Sequence, residues 1–317
     1  MQSIPRAVTE LTRIFRDSSD KRSAHSRSRA VLERVSEDPA FLTEALERYL
    51  RTPDSLNASN YPVVAVEIAT TPDFVLVAHC WIPLPDGRTD VSTKAIHHHG
   101  SMLLSTANIF GPGYEHWLFT FPKQIGSELY EMKLVETAPH RLHQVAFVDS
   151  WTPHLPVYPP SLTVTLALWS SEHPTTWKDR VKRIPLLKRN ERSLRRIASR
   201  LGLSRTLELK IVENFDFCPV DGGFRNIHDR LEFERGPNED HLYSLFHVLQ
   251  QTGNERLARV AEERLGTQLK SPAIVKSLIA DLESGRTITG RLSKGHYDVP
   301  YANFTTDAIN RSLQQGR

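Results

Sequence analysis

At 317 residues, with 39 % hydrophobic and 24 % charged side chains, the chain can bury a sizeable core without disulfide or metal staples. Forty Lys plus Arg against 37 Asp plus Glu leave a net charge of +3, which excludes a protein that coats nucleic acid by charge alone. Two cysteines, Cys80 and Cys218, exclude a disulfide scaffold, and with no apolar leader or membrane-length run a cytoplasmic location is expected.

Residues 1–52 read as helical. In SEDPAFLTEALERYL, Ser36 is placed to cap a helix whose Leu42, Leu46 and Tyr49 recur at helical spacing. The polar stretch TPDSLNASN breaks that pattern. From Tyr61 the period changes, and seven β-prone runs follow: YPVVAVEIA, DFVLVAHCWI, KAIHHHGSMLLSTANI, HWLFTFP, LYEMKLVET, HQVAFVD and SLTVTLALWS. Turn signals such as Pro85-Asp86-Gly87 and Gly111-Pro112-Gly113 separate most of them. Consecutive short strands imply an antiparallel barrel or sandwich, not a βαβ wrap.

Beyond Trp169 the chain turns basic, in WKDRVKRIPLLKRNERSLRRIASRLGLS, and then helical again. Two or three amphipathic helices are expected after residue 238, with Asn238 and Ser271 as caps and Gly253, Gly266 and Gly285 as stops. The tail from Arg286 is polar, and its end is expected to be loose. The predicted class is α+β: a helical segment over residues 1–60, a central antiparallel β-barrel over 61–175, and a basic linker with a C-terminal helical region over 176–317.

The richest chemistry lies in Ile96-His97-His98-His99-Gly100. Alternate residues of a strand share a face, so His97 and His99 point together and His98 points away. Two imidazoles roughly 6–7 Å apart at the backbone can converge on one metal ion, with a third ligand from another strand. Ala138-Pro139-His140-Arg141-Leu142-His143-Gln144 supplies candidates for that ligand, and His116 and His154 lie in the same part of the chain. The residue-level reading of His116 is a strand start or a pocket wall. His154 falls in a proline-rich loop. Three neutral imidazoles suit Fe(II), Zn, Ni, Mn or Cu.

This pattern resembles the cupin superfamily, and within it the cysteine-dioxygenase-type thiol dioxygenases. A strand with Trp81-Ile82-Pro83-Leu84-Pro85-Asp86-Gly87 leads to Ile96-His97-His98-His99-Gly100, as a tryptophan-containing strand leads to I-H-x-H in those enzymes. The Glu expected four residues beyond the second His is replaced by Leu103, so the resemblance implies three histidine ligands and no carboxylate. His140 followed at the fourth position by Gln144 is the nearest match to the second motif, making His140 the implied third ligand and His143 its reserve. The Pro-x-Gly that normally precedes that His is missing, and the likeness covers only residues 61–170. It implies a mononuclear non-haem oxygenase, with Fe(II), acting with O2 on a small polar metabolite such as a thiol or amino-acid derivative. The rival readings are a zinc or nickel lyase, isomerase or hydrolase, or a non-catalytic ligand-binding or regulatory protein whose basic helix contacts DNA or a partner. Zn, Ni or Mn are the alternative ions.

Arg141 could anchor a substrate carboxylate, and Tyr130 and Tyr158 could act as acids beside a metal, although strand aromatics usually build core. Cys80 reads as a buried, inert thiol. Leu194–Arg205 resembles the first helix and turn of a helix-turn-helix, but Thr206–Val212 reads as a strand, so nucleic acid is not the expected partner. Asp221-Gly222-Gly223 reads as a turn. No membrane association is expected, and the C-terminal helices could serve a homodimer. The absence of GxSxG, HExxH and a dinucleotide fingerprint removes several common enzyme classes.

Overall fold

Three helices open the chain because apolar residues return at every third or fourth position. The first, α1 (Ser3–Asp17), buries Ile4, Ala7, Leu11, Ile14 and Phe15 along one stripe. Next, α2 (Lys21–Ser36) starts behind Asp20, whose carboxylate accepts the Ser23 N–H at 2.8 Å. The third, α3 (Pro39–Leu50), is capped by Asp38 and carries a proline in its first turn. Ser36 therefore ends α2 and does not cap α3. The protein is represented by a computed structural model that describes residues 3–52, 58–59, 63–84, 87–92, 96–127, 129–173, 213–218, 223–226, 235–236, 239–266, 273–288 and 305–315. The basic segment and the caps expected at Asn238 and Ser271 lie outside the described residues.

The strands are β1 (Ala58–Ser59), β2 (Val63–Thr70), β3 (Val75–Trp81), β4 (Ile96–His98), β5 (Met102–Phe110), β6 (Tyr114–Phe119), β7 (Lys123–Gln124) and β8 (Leu129–Glu131). They continue as β9 (Leu134–His140), β10 (Val145–Val148), β11 (His154–Pro156), β12 (Thr163–Ser171), β13 (Glu213–Cys218), β14 (Gly223–Asn226) and β15 (Arg235–Gly236). All pairings are antiparallel. One sheet has the order β10-β5-β12-β3-β2, a second the order β7-β8-β14-β13-β4-β11-β6-β9, and β1 pairs with β15 apart from both.

Among the described residues the two large sheets do not close into the expected barrel. Closure would need ladder hydrogen bonds between their edge strands, and none joins β2 or β10 to β7 or β9. The second sheet also reaches beyond residue 175. Asn214 of β13 pairs opposite His97, and Phe224 of β14 opposite Tyr130. The run ENFDFC, a short alternating stretch beyond the basic segment, is not among the expected strands, and Gly223, expected in a turn, opens β14.

The two faces of the five-stranded sheet have different jobs. Val64, Val66, Leu76, Ala78, Cys80, Val164, Leu166 and Leu168 pack towards α1–α3 and towards α4 (Glu239–Thr252), α5 (Glu255–Ala261) and α6 (Ala273–Ser284). Gly253 (φ +59) and Gly285 (φ +68) follow α4 and α6 in the left-handed conformation that ends helices. Cys80 is fully buried here, and burial pushes its thiol up to about 12, so it is inert as expected. The opposite face looks towards the second sheet. That sheet's far side buries Ile96, Trp117, Phe119, Met132, Leu155 and Phe224 together with Ile309 of α7 (Thr306–Gln315). The expected loose end is thus a docked helix, because Ile309 and Leu313 lie one turn apart on a face that needs cover. No described helix is long and apolar enough to cross a membrane.

Candidate metal centre

Register places the histidines before any side-chain distance is considered. His154 of β11 pairs with His97 of β4, Pro156 pairs with His116 of β6, and Tyr114 of β6 pairs with His140 of β9. Directly opposed residues share a face, and a strand returns to that face every second residue. His97, His154, His116, Tyr114 and His140 therefore line one face, and His99 rejoins it two residues after His97. That face meets the five-stranded sheet: the His99 ring lies 4.5 Å from Trp169, and Tyr114 lies 5.1 Å from Trp81. Between the sheets sits a histidine-rich interior, in place of the aliphatic filling of an ordinary sandwich.

His97, His99 and His154 form one group whose ligand atoms all lie within 4.8 Å of one another, with no carboxylate among them. Ring centroids are 4.2 Å apart for His97 and His154, 4.8 Å for His97 and His99, and 5.2 Å for His99 and His154. His97 is 1 % and His154 4 % exposed. Metal–nitrogen bonds of about 2.1 Å place cis or tetrahedral ligand atoms roughly 3.0–3.4 Å apart, so the three rings must draw closer together to share one ion. The Thr152 carbonyl lies 3.2 Å from Nδ1 of His154. A carbonyl can only accept, so Nδ1 carries the proton and Nε2 keeps the lone pair a metal requires. The donor set fits a divalent transition ion.

Further along the face, His116 lies 5.3 Å from His154 and 6.0 Å from Tyr114, whose ring is 5.4 Å from His140. Burial pulls His116 down to about 3, with His140 adding to the effect, and burial pulls His140 down to about 4. Both rings are neutral at physiological pH. Thr165 ties the wall together, accepting the Trp81 Nε1–H at 2.9 Å and bonding the Tyr114 hydroxyl.

The structure brings His154, and neither His140 nor His143, beside His97 and His99. His140 stands on β9, and the order β4-β11-β6-β9 puts that strand three ladder spacings from His97, roughly 14 Å. His143 has φ +63 in the exposed turn after β9 and does not reach the interior. His154 is the third histidine that stands beside His97 and His99. Its run HLP is only three residues long, preceded by Pro153 and closed by Pro156, which hides it from strand patterns, although it pairs on both sides. The usable signal was a histidine opening the last short apolar run before β12.

The other candidates are dispersed. His98 points to the opposite face, 5.4 Å from Trp151, with its Nδ1 accepting the Gly100 N–H. Arg141 is exposed in the same turn as His143, so it does not face a substrate in the interior. Tyr130 packs with the apolar cluster on the far face, away from the histidines. Tyr158 is buried, its hydroxyl pushed up by burial and without a hydrogen-bond partner among the described residues.

No protein-family model and no curated protein matches the chain. Solved structures resemble it in part. A DMSP lyase structure aligns at 15 % identity over 34 % of this chain and 46 % of that chain, with a TM-score of 0.23. A conserved protein with a double-stranded beta-helix domain from Klebsiella pneumoniae aligns at 15 % identity over 40 % and 88 %, with a TM-score of 0.24. A cupin-superfamily sugar phosphate isomerase from Silicibacter pomeroyi aligns at 10 % identity over 38 % and 64 %, with a TM-score of 0.24. The chain thus matches less than half the length of the DMSP lyase structure.

Proposed function

We propose that the chain is a mononuclear, non-haem metalloenzyme of the cupin type whose divalent ion is held by His97, His99 and His154. The observation that carries this reading is the convergence of three imidazoles, with ligand atoms within 4.8 Å, on a buried face. Iron(II) in such a set of neutral ligands leaves positions for O2 and substrate, the oxygenase reading we place first, whereas zinc or nickel would direct the site to lyase, isomerase or hydrolase chemistry. The chain's own residues bind, orient and keep water out. Thr152 fixes the tautomer of His154, Trp169 packs against His99, and Trp81, Thr165 and Tyr114 seal the wall beside them. His116, kept neutral by burial, offers one donor and one acceptor to a small polar substrate.

Elemental analysis of the purified protein, followed by oxygen uptake with small thiols and amino acids, tests the reading. Iron with substrate-dependent uptake supports the oxygenase. Zinc or nickel without uptake moves the activity to the second class. No bound metal removes both.

A further inference from the structure

His140 is held through its backbone, yet among the described residues its ring is given nothing to bond. Its backbone carbonyl accepts the Asn108 Nδ2–H at 3.3 Å, and Gly113 approaches so closely that a Cβ there would stand 2.0 Å from that oxygen. The side chain is 2 % exposed, and among the described residues both ring nitrogens lack a hydrogen-bond partner. His25 provides the internal contrast. It is also 2 % exposed, but its nitrogens meet the Ser105 and Ser170 hydroxyls at 2.8 and 3.0 Å. Buried polar groups are almost always satisfied, so a ring with two open nitrogens, facing the same interior as the three-histidine group, marks a place where something else bonds.

The surroundings define what that is. Buried charges among the described residues are Lys21 and Asp281, and both belong to helices, α2 and α6, outside this interior. Among the described residues an anionic end would therefore find no buried counter-charge beside His140. A neutral imidazole presents one N–H and one lone pair, the complement of a hydroxyl, which also donates once and accepts. Three neutral ligands leave a divalent ion's charge uncompensated, so the other end of the ligand, at His97, His99 and His154, is an anion such as a carboxylate. Strand β9 lies two ladder spacings from β11, roughly 10 Å.

Resting on the metal reading above, we infer that His140 is a recognition residue that holds the uncharged, hydroxyl-bearing end of a carboxylate substrate whose acid end lies at the three-histidine group. His116 and Tyr114 form the wall between the two ends.

Zinc-loaded protein, with its zinc stoichiometry measured first, is titrated calorimetrically with ω-hydroxycarboxylates of about four to eight carbons and with the matching unsubstituted carboxylates. The hydroxy acid of matching length should bind about tenfold more tightly than its unsubstituted partner, the effect of one net hydrogen bond. His140→Leu should lose that tenfold gain while keeping zinc, carboxylate affinity and melting temperature, because an apolar side chain leaves no orphaned nitrogen. His140→Phe is the second variant, read in the same way if the first does not fold. No gain at any chain length in the wild type, or a gain that survives in either variant, overturns the role of His140. Zinc absent from the wild type overturns instead the metal reading and, with it, the acid end of this ligand.

Discussion

Replacing His25 with Gln should flatten the acid side of the stability curve. His25 reaches from α2 into the five-stranded sheet, where the Ser170 hydroxyl already donates to the Ser171 carbonyl. Ser170 must therefore accept from Nε2, and Nδ1 accepts from Ser105, which is the neutral ring. Burial, aided by Lys21, pulls this group from 6.5 to about 4. Its pKa is thus lower in the folded than in the unfolded chain, so the unfolded chain binds the extra proton between those values. The stability it preserves is present above pH 6.5 and drains away as pH falls towards 4. Linkage over that interval gives about 2 kcal/mol lost between pH 7 and pH 5 from this one residue. Urea unfolding of both proteins, metal-free, at pH 7 and pH 5 measures it. The other buried histidines contribute equally to both and cancel in the difference. The wild type should lose about 2 kcal/mol more than the variant on acidification. Equal losses would refute the assignment of His25 as a buried neutral ring.

Gly113→Ala should cost more than about 2 kcal/mol by thermal unfolding, since a Cβ at φ +94 would collide with the His140 carbonyl. Gly87→Ala, equally left-handed at φ +70 but in open space, should cost only about 1 kcal/mol. Phe246→Ala, at a fully buried position against the sheet's helical side, should cost about 3–5 kcal/mol while metal stoichiometry stays unchanged. His98→Ala should keep its metal, because that ring lies on the opposite face against Trp151.

The helical ends and the change of period at Tyr61 were legible because burial of one face leaves a repeat in the sequence, as Ile4, Leu11 and Phe15 or Leu76, Ala78 and Cys80 show. The shared face of His97 and His99 was legible for the same reason. The partner strand was not. His154 becomes a neighbour of His97 only through strand pairing, and spacing along the chain carries no record of which strands pair. His140, nearer in sequence and matching a motif more closely, ends three strands away. Separation of the sheets and recruitment of β13 and β14 were equally hidden, since both depend on long-range hydrogen bonds between short, weakly patterned segments.

Metal stoichiometry of the wild type and of the His97→Ala, His99→Ala, His154→Ala and His140→Ala variants, each checked for folding by circular dichroism, tests the central claim most directly. The wild type and His140→Ala should hold about one divalent ion per chain, and the other three should lose it while remaining folded. Metal retained in both His97→Ala and His154→Ala, or lost in His140→Ala while His154→Ala keeps it, would contradict the three-histidine centre described here.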